Sequence, residues 1–295
     1  MDVPVALGSV RSIGARTFDF SRQVAVMAIV NRTRDSFYDG GRTFALDRAV
    51  AAAERVVAEG ADWVDVGAVP FSPRAREVTE RDELERLLPL VEALRSSTDA
   101  VISVDTVRAE VARRALAAGA DAVNDTSGLH DPDMAGVVAA AGAHLVITHS
   151  RAAPGVELAH PQYADVVSEV REFLAERVAY AVAEGVPTDH LVVDPGHDLN
   201  KNTIHSLELT RRLGELTTLG HPLLVSVSNK DFLQETLNRP ADALTEGTVA
   251  AVVLCVLAGA RVVRVHDVAA VRAGLGVVEA VLGWRPPAGP LRHNL

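Results

Sequence analysis

The sequence has almost no cysteine and no long apolar run, and both shortages exclude whole classes of protein. The one cysteine, Cys255, lies inside an apolar stretch, so a disulfide scaffold is excluded and a buried, unreactive thiol is expected. No apolar stretch reaches the roughly 18 residues that a membrane helix needs. The N-terminus also lacks the basic-then-apolar pattern of a secretory signal. We therefore expect a cytoplasmic protein with no membrane partner.

Basic residues are outnumbered, and lysine is nearly absent. The chain carries 29 basic and 39 acidic side chains and no stripe of Lys and Arg, so no nucleic-acid partner is expected. Only Lys201 and Lys230 are lysine, and each follows an apolar run. In a chain that otherwise uses arginine, Lys230 indicates a position that needs the compact ammonium group of lysine and not the planar guanidinium of arginine. For Lys201, chance is an adequate explanation.

Aromatic residues make up only 4% of the chain, so the core must consist mainly of Ala, Val and Leu. Short runs rich in Val and Ile, without polar alternation, are typical of parallel strands covered on both faces. They predict strands at Ala25–Val30, Trp63–Gly67, Val101–Val104, Ala122–Asn124, Leu145–Thr148, Leu191–Asp194, Leu223–Ser228 and Val262–Val265. Between them, apolar spacings of three and four predict helices that include Ala45–Glu59, Arg81–Arg95, Arg108–Ala118, Asp165–Glu184, Ile204–Leu219 and Leu244–Ala258.

A Gly-Ala phrase recurs four times between a predicted helix and the next strand, as in EGADWVDV and AGADAVN, where Gly can form the left-handed helix cap. Eight such units in about 260 residues predict an α/β fold, a (β/α)8 TIM barrel. A doubly wound open sheet is the alternative, but its Gly-rich dinucleotide turn is missing. No linker interrupts the repeat. We predict a single domain over 1–295, with an N-terminal arm at 1–24 forming a hairpin below the barrel and a surface tail at 284–295.

Six of the eight predicted strands lead into polar or charged residues of types that do chemistry. These residues are Asn31, Asp105, Asn124, Asp194, Lys230, Arg264 and His266. A strand in a buried sheet has no folding reason to end on such a residue. In a barrel of parallel strands, this edge is where an active site is assembled, so the pattern predicts an enzyme.

Four of these residues suit a flat heterocycle. Asp accepts hydrogen bonds from adjacent N–H groups, Asn both donates and accepts, and Lys230 can donate to a ring carbonyl. The Pro-Gly turn after Asp194 would aim its carboxylate into the barrel mouth. Structural alternatives remain: Asp194 can cap that turn, and Asp105 and Asn124 are ordinary helix N-caps.

Arg264 and His266 alternate on the last strand, so both point to one face, where a guanidinium can stack on a ring or pair with a phosphate. A satisfied structural role is the alternative for His266. His149 and His197 also lie near strand ends, but no HxH or HExxH spacing supports zinc.

Asn31 opens a polar loop with two glycines, NRTRDSFYDGG, which is long for a connection between a strand and a helix. There Asn31 can bind a divalent cation or a phosphate oxygen. Asp35, in the same loop, can orient a substrate.

These motifs, in this order, resemble the dihydropteroate synthase family of pterin-binding TIM barrels, from about Met27 to Ala270. NRTRDSFYDGG looks like the family's first loop, and GADWVDVG, ISVDT, GADAVND, VVDPG, VSVSNK and RVHDV follow in register. The resemblance implies a transferase that joins 6-hydroxymethyl-dihydropterin diphosphate to p-aminobenzoate, releases diphosphate and uses Mg²⁺. It also implies a homodimer formed through outer helices near the C-terminal half.

Carried over residue by residue, the resemblance gives each strand end a role. The pterin-binding residues would be Asp105, Asn124, Asp194, Lys230 and Arg264, with Arg264 stacked on the ring. The diphosphate would contact Asn31, Arg264 and His266, and the metal ion would contact Asn31. The catalytic residues would be Lys230, Arg264 and Asp105.

The loops departing from the family pattern lie on the side of the second substrate. The family's GGxSTRPGA reads GAVPFSPRA here, so Phe71 and Ser72 replace Thr and Arg, and Arg74 and Arg76 stand out of register. In the first loop, the family's Pro is Arg34.

The family's S-R-K-S reads Ser-Asn-Lys-Asp at 228–231, which removes an Arg and the Ser that meets the aminobenzoate carboxylate. Asp231 would repel that carboxylate. The Gly-rich stretch after the family's DPG reads His-Asp-Leu-Asn at 197–200. Each lost charge-assisted contact costs about 1.5–3 kcal/mol, so two losses are enough to abolish useful aminobenzoate binding.

Three hypotheses follow. The first is a synthase-type transferase in which Arg34, Arg74 or Arg76 replaces the missing cations. The second is a paralogue that keeps pterin binding but lacks significant synthase activity or uses a different second substrate. The third is a pterin-binding module of a corrinoid methyltransferase, which shares the barrel; the motifs NRTRDSF and RVHDV favour the synthase family over it.

Overall fold

The computed structural model describes Val3 and residues 10–31, 46–69, 78–156 and 158–292. Its strands are β1 (Val10–Ile13), β2 (Arg16–Asp19), β3 (Ala25–Asn31), β4 (Trp63–Gly67), β5 (Val101–Asp105), β6 (Ala122–Asp125), β7 (His144–Thr148), β8 (Leu191–Asp194), β9 (Leu223–Val225) and β10 (Ala260–Val265). Strands β3 to β10 are parallel and close into a barrel in chain order, with β10 pairing with β3. The predicted (β/α)8 barrel is confirmed.

Helices follow the barrel strands and cover the outside of the sheet. They are α1 (Leu46–Ala58), α2 (Glu80–Ser97), α3 (Ala109–Ala117), α4 (Met134–Ala141), α5 (Val166–Ala183), α6 (Thr203–Arg211), α7 (Asp231–Leu237), α8 (Thr245–Leu257) and α9 (Val268–Val281). The four Gly-Ala phrases end helices as predicted. Gly60, Gly119, Gly142 and Gly259 all take positive φ, a conformation that lets the chain leave the helix at little steric cost.

Apolar side chains fill the barrel interior towards the N-terminal ends of its strands. The cluster there comprises Ile13, Phe18, Phe20, Ala25, Met27, Trp63, Val101, Ala122, Val146, Val192, Leu224 and Val262. Phe18 and Phe20 come from the β1–β2 hairpin and its exit, and their stacked rings lie 5.6 Å apart. The Phe18 ring lies 6.2 Å from that of Trp63. The predicted N-terminal hairpin therefore seals the bottom of the barrel, and polar side chains are left to the opposite end.

Two predicted elements end early for local reasons. The helix predicted at 204–219 stops at Arg211 and continues as a 3₁₀ segment, Leu213–Leu219. Thr217 and Thr218 donate from Oγ1 to the carbonyl oxygens three residues earlier, which favours the tighter turn. The strand predicted at 223–228 stops at Val225 because the chain then turns, with Asn229 at a φ of 56°.

Candidate active site

The barrel mouth is the end of the barrel where the C-terminal ends of β3 to β10 meet. Arg264, on β10, lies there and binds two carboxylates. Its Nε donates to Asp65 Oδ2 at 2.6 Å, and its Nη2 donates to Asp105 Oδ2 at 2.8 Å. The Arg264 side chain is 14% exposed, and that of Asp65 is fully buried. Partners on β4 and β5 therefore hold the flat guanidinium in one orientation.

Asp65 was not among the predicted site residues. It lies in the middle of β4, and Asn124 Nδ2 donates to the same carboxylate oxygen at 3.1 Å. The other oxygen, Oδ1, is buried and has no hydrogen-bond partner among the described residues. The sequence does carry a signal, because alternation along the strand turns Asp65 inward when its valine neighbours face the helices. A lone carboxylate in a fully buried strand is therefore informative even away from the strand end.

Three of the predicted site residues and one glycine lie side by side across the mouth. The strand register pairs Asn31 with Gly67, Gly67 with Asp105, and Asp105 with Asn124. A Cβ at Gly67 would approach Asn31 Oδ1 to 2.8 Å, so a larger residue there would displace that amide. The structure thus brings together the strand-end residues of β3, β5 and β6.

The helix-capping alternatives for Asp105 and Asn124 are wrong. The N-cap of α3 is Arg108, and that of α4 is Asp133. Burial raises the pKa of Asp105 to about 7, and neighbouring carboxylates add to the rise while Arg264 opposes it. The amide oxygen of Asn124 is buried without a partner among the described residues. The amide oxygen of Asn124 therefore has hydrogen-bonding capacity that no described residue uses.

Asp194 lies at the end of β8, where its Oδ1 accepts the N–H of Gly196 at 2.7 Å. This bond is the turn cap that the sequence offers as the structural alternative for Asp194. Burial raises the pKa of Asp194 to about 6, although Lys230 and Arg264 oppose the rise. Burial lowers the pKa of Lys230, which precedes α7, while the carboxylates of Asp198 and Asp194 oppose that change. Asp194 and Lys230 thus influence each other across the same mouth.

His266 lies just beyond β10 and shares a contact of 3.0 Å between its Nδ1 and Ser228 Oγ. Burial lowers its pKa to about 3, and Arg264 and Lys230 act in the same direction. At neutral pH, His266 is therefore an uncharged hydrogen-bonding group beside two cations.

Lys201, His149 and His197 form a buried group under the loop that follows β8. Lys201 Nζ donates to His149 Nδ1 and Gly196 O at 2.8 Å and to Leu199 O at 3.0 Å. Burial lowers the pKa of Lys201 to about 7. Among the described residues there is no cluster of His, Cys, Asp and Glu suited to a metal ion. Lys201 therefore fixes a loop, a role that chance placement does not explain.

Several predicted residues of the first two loops lie outside the described residues. They are Arg34, Asp35, Phe71, Ser72, Arg74 and Arg76.

The closed barrel defines a (β/α)8 protein, and its candidate small-molecule site is the C-terminal face, where carboxylates, an amide, a lysine and an arginine converge on one opening. The family described as "Pterin binding enzyme" matches residues 27–266, and the chain belongs to this family.

This chain is similar both to relatives named dihydropteroate synthase and to relatives named as inactive ones. It is 48% identical over 273 residues to "Inactive dihydropteroate synthase 2" of Mycobacterium leprae, covering 90% of this chain and 94% of the relative. It is 39% identical over 275 residues to the dihydropteroate synthase of Synechocystis sp., covering 92% and 94%.

Solved structures agree with the fold. Yersinia pestis dihydropteroate synthase with a sulfonamide drug complex matches with a TM-score of 0.89 and 35% identity, over 93% of this chain and 99% of that one. The Xanthomonas albilineans dihydropteroate synthase in complex with 7,8-dihydropteroate matches with a TM-score of 0.83 and 36% identity, over 95% and 100%. No helix among the described residues is long and apolar enough to span a membrane.

Proposed function

We propose that this chain binds a pterin diphosphate at the barrel mouth and is a dihydropteroate synthase-like transferase. It would join 6-hydroxymethyl-dihydropterin diphosphate to p-aminobenzoate or a related amine and release diphosphate. The observation that carries the proposal is the network in which Arg264 binds Asp65 and Asp105 and Asn124 binds Asp65.

A pterin suits the hydrogen-bonding capacity of this network. Its amino group and ring N–H groups are donors, and the carboxylates of Asp194, which is buried, and of Asp105, whose side chain is 21% exposed, can accept. The unpartnered oxygens of Asp65 and Asn124 are two further buried acceptors in the same region. Lys230 supplies a donor for the ring carbonyl, and Arg264 offers a flat cation for the ring face.

The reaction requires an anion to leave. The amine nitrogen attacks the methylene carbon on the pterin, the carbon–oxygen bond to the diphosphate breaks, and its electron pair leaves with the diphosphate. The amine nitrogen then loses a proton to water. In our proposal Arg264 stabilises the negative charge of the leaving group, while His266 and Asn31 donate hydrogen bonds to it.

Mg²⁺ is part of the proposal, with Asn31 as a ligand. Mg²⁺ keeps several waters and takes one or two protein oxygens together with substrate phosphates. The amide oxygen of Asn31, seated over Gly67 at the end of β3, fits such a minimal protein contribution. Bound there, Mg²⁺ would neutralise charge on the diphosphate.

A second candidate is a paralogue that binds the pterin without significant synthase activity towards p-aminobenzoate. The observation that favours it is Asp231, an exposed carboxylate at the start of α7 where the resemblance expects a Ser. The relatives that bear the name "Inactive dihydropteroate synthase 2" point the same way. The first candidate requires Arg34, Arg74 or Arg76 to supply replacement cations.

Calorimetry with a 6-hydroxymethylpterin diphosphate analogue and Mg²⁺ tests the shared proposal, and absence of binding refutes it. A coupled assay for diphosphate release with p-aminobenzoate separates the candidates. Turnover supports the synthase, whereas pterin binding without turnover at millimolar aminobenzoate supports the paralogue.

We also propose a cytoplasmic homodimer. The outer faces of α8 and α9 expose Leu254, Val277 and Val281, whose exposed fractions are 58%, 65% and 76%. Large apolar side chains grouped on helices of one side are typical of a protein interface. Val281→Glu should convert a dimer to a monomer in analytical ultracentrifugation, and a wild-type monomer would refute the proposal.

A further inference from the structure

The loop that follows β8, residues 195–201, carries a carboxylate at an unusual backbone position. Asp198 takes a φ of 63°, in a stretch where the resemblance expects glycine. A non-glycine residue in the left-handed region is uncommon, although Asp and Asn tolerate it best. The chain therefore accepts some backbone strain to place a carboxylate here.

Contacts on two helices fix the Asp198 carboxylate. Its Oδ1 accepts from Ser206 Oγ on α6 at 2.9 Å, and its Oδ2 accepts the backbone N–H of Phe232 on α7 at 3.2 Å. Ser206 Oγ also accepts the Asp198 N–H at 3.2 Å. The carboxylate is thus pinned at the first turn of α7 and is not a mobile surface group.

Asp198 also acts on Lys230, the residue immediately before α7. Of the carboxylates that raise the pKa of Lys230 against burial, Asp198 has the largest effect, ahead of Asp194. Asp231 lies next to both groups and adds a second carboxylate at the same end of α7. The mouth therefore carries two carboxylates beside Lys230; burial raises the pKa of Asp198, and Lys230 opposes that rise.

This arrangement bears on the second substrate. In the resembled family, the Ser that meets the aminobenzoate carboxylate stands at the start of this helix. Here a carboxylate of the chain itself already accepts an N–H of the first turn of α7, and Asp231 replaces the Ser. An incoming carboxylate would meet like charge and find that N–H occupied.

We infer that Asp198 is a specificity-determining residue, which makes the site select an amine nucleophile whose far end is neutral or cationic and reject one that bears a carboxylate. The inference rests on the proposed function, because the second substrate is defined by its place beside a bound pterin.

Three probes of nearly one shape test the inference: p-aminobenzoate, p-aminobenzamide and p-aminobenzamidine, which are anionic, neutral and cationic. Their dissociation constants are measured by calorimetry in the presence of saturating pterin diphosphate analogue and Mg²⁺. We expect the neutral and cationic probes to bind the wild type at least about tenfold more tightly than p-aminobenzoate.

Asp198→Asn removes the charge while keeping an oxygen for Phe232 and Ser206 and tolerating the left-handed backbone. We expect this variant to reduce the preference over p-aminobenzoate by roughly tenfold, since one contact to a charged group is altered. Asp198→Gly, which also relieves the backbone, should have the same effect.

Asn200→Gly is the matched control. Asn200 lies in the same loop at a φ of 51°, but its Oδ1 accepts from Ser150, Arg151 and Ala152 and does not contact α7. The probe preference should be unchanged in this variant. Failure of the wild type to bind the pterin analogue would overturn the proposed function and this inference together. Pterin binding with p-aminobenzoate preferred, or with equal preference in wild type and Asp198→Asn, would overturn the inference alone.

Discussion

At the scale of single residues, the mouth holds carboxylates in a state that opposes folding. Burial raises the pKa of Asp194 to about 6 and that of Asp105 to about 7, whereas an unfolded Asp titrates near ~3.9. Between these values the folded chain binds more protons than the unfolded chain. The contribution of these two residues to the free energy of unfolding therefore falls as the pH rises from about 4 to about 7.

The same titrations should govern ligand binding. We expect the affinity for a pterin analogue to rise between about pH 5 and about pH 8, since the ionised carboxylates accept the N–H groups of the ring. Calorimetry across this range measures it, and Asp194→Asn should bind more weakly and lose the part of the rise near pH 6. Lys201 also titrates in this window because burial lowers its pKa to about 7, so the part of the rise that Asp194→Asn removes identifies the share of the Asp194 carboxylate. An affinity that does not change with pH would contradict the assignment.

Of the two carboxylates that bind Arg264, that of Asp65 is the more deeply buried. We expect Asp65→Ala to lower the free energy of unfolding by about 3 kcal/mol, because removing one partner leaves a buried charge undercompensated. Urea denaturation followed by circular dichroism measures the change. Glu110→Ala, which removes an exposed carboxylate paired with Arg113 on α3, is the control and should leave the midpoint unchanged. Equal midpoints for the wild type and Asp65→Ala would show that Asp105 alone holds the guanidinium.

The sequence was sufficient to predict the residues at strand ends but not those whose role depends on long-range geometry. Asp105, Asn124, Asp194 and Arg264 could be named because parallel strands bring their C-terminal ends to one edge. Asp198 could not, since its contact with Phe232 needs a left-handed backbone and a helix that begins more than 30 residues later.

At the scale of elements, the loop 195–201 connects parts of the mouth that do not adjoin along the chain. Asp198 binds α6 and α7, and Asn200 Oδ1 accepts from Ser150 Oγ and from the N–H groups of Arg151 and Ala152. The His197 ring stacks on that of Phe232 at 5.8 Å. The loops after β7, β8 and β9 are therefore joined by side chains of this one segment.

The buried ammonium of Lys201 is the internal support of that loop. We expect Lys201→Met to lower the free energy of unfolding by about 2–4 kcal/mol, because His149 Nδ1 and two backbone carbonyls lose their donor. Amide hydrogen exchange should become faster in residues 195–201 than in the barrel strands. Arg81→Met, at an exposed position of α2, should change neither quantity. Unchanged exchange in the loop would assign its rigidity to Asp198 and Asn200.

Strands and helices could be predicted where the spacing of apolar residues is periodic. Apolar runs and amphipathic stretches differ in period, so strands and helices could be separated and the closed barrel inferred from their number. The 3₁₀ segment Leu213–Leu219 could not be, because it depends on threonine hydroxyls bonding to carbonyls within an otherwise helical pattern.

At the scale of the whole molecule, the two ends of the barrel interior are filled by different kinds of side chain. Aromatic and apolar side chains from the hairpin fill the bottom, while the buried charges occupy the mouth. A change in the apolar end should therefore leave the arrangement of the mouth nearly intact.

Phe18→Ala tests this separation. We expect the free energy of unfolding to fall by about 3–5 kcal/mol, as for other buried Phe truncations. The dissociation constant for the pterin analogue should stay within about twofold, because additivity holds for distant sites. The comparison is Asp194→Asn, which should weaken pterin binding without lowering the free energy of unfolding at pH 7 and above. A loss of pterin affinity in folded Phe18→Ala would mean that the two ends are coupled.

The pairing of β10 with β3 has a consequence for the folding of the newly made chain. Arg264 arrives on the last strand to leave the ribosome, long after Asp65, Asp105 and Asp194 have been made. Until β10 inserts, Asp65 and Asp105 lack their guanidinium partner, and the edges of β3 and β9 stay open to pairing with other chains. The mouth is therefore completed only after the last barrel strand has been made and has joined β3 and β9.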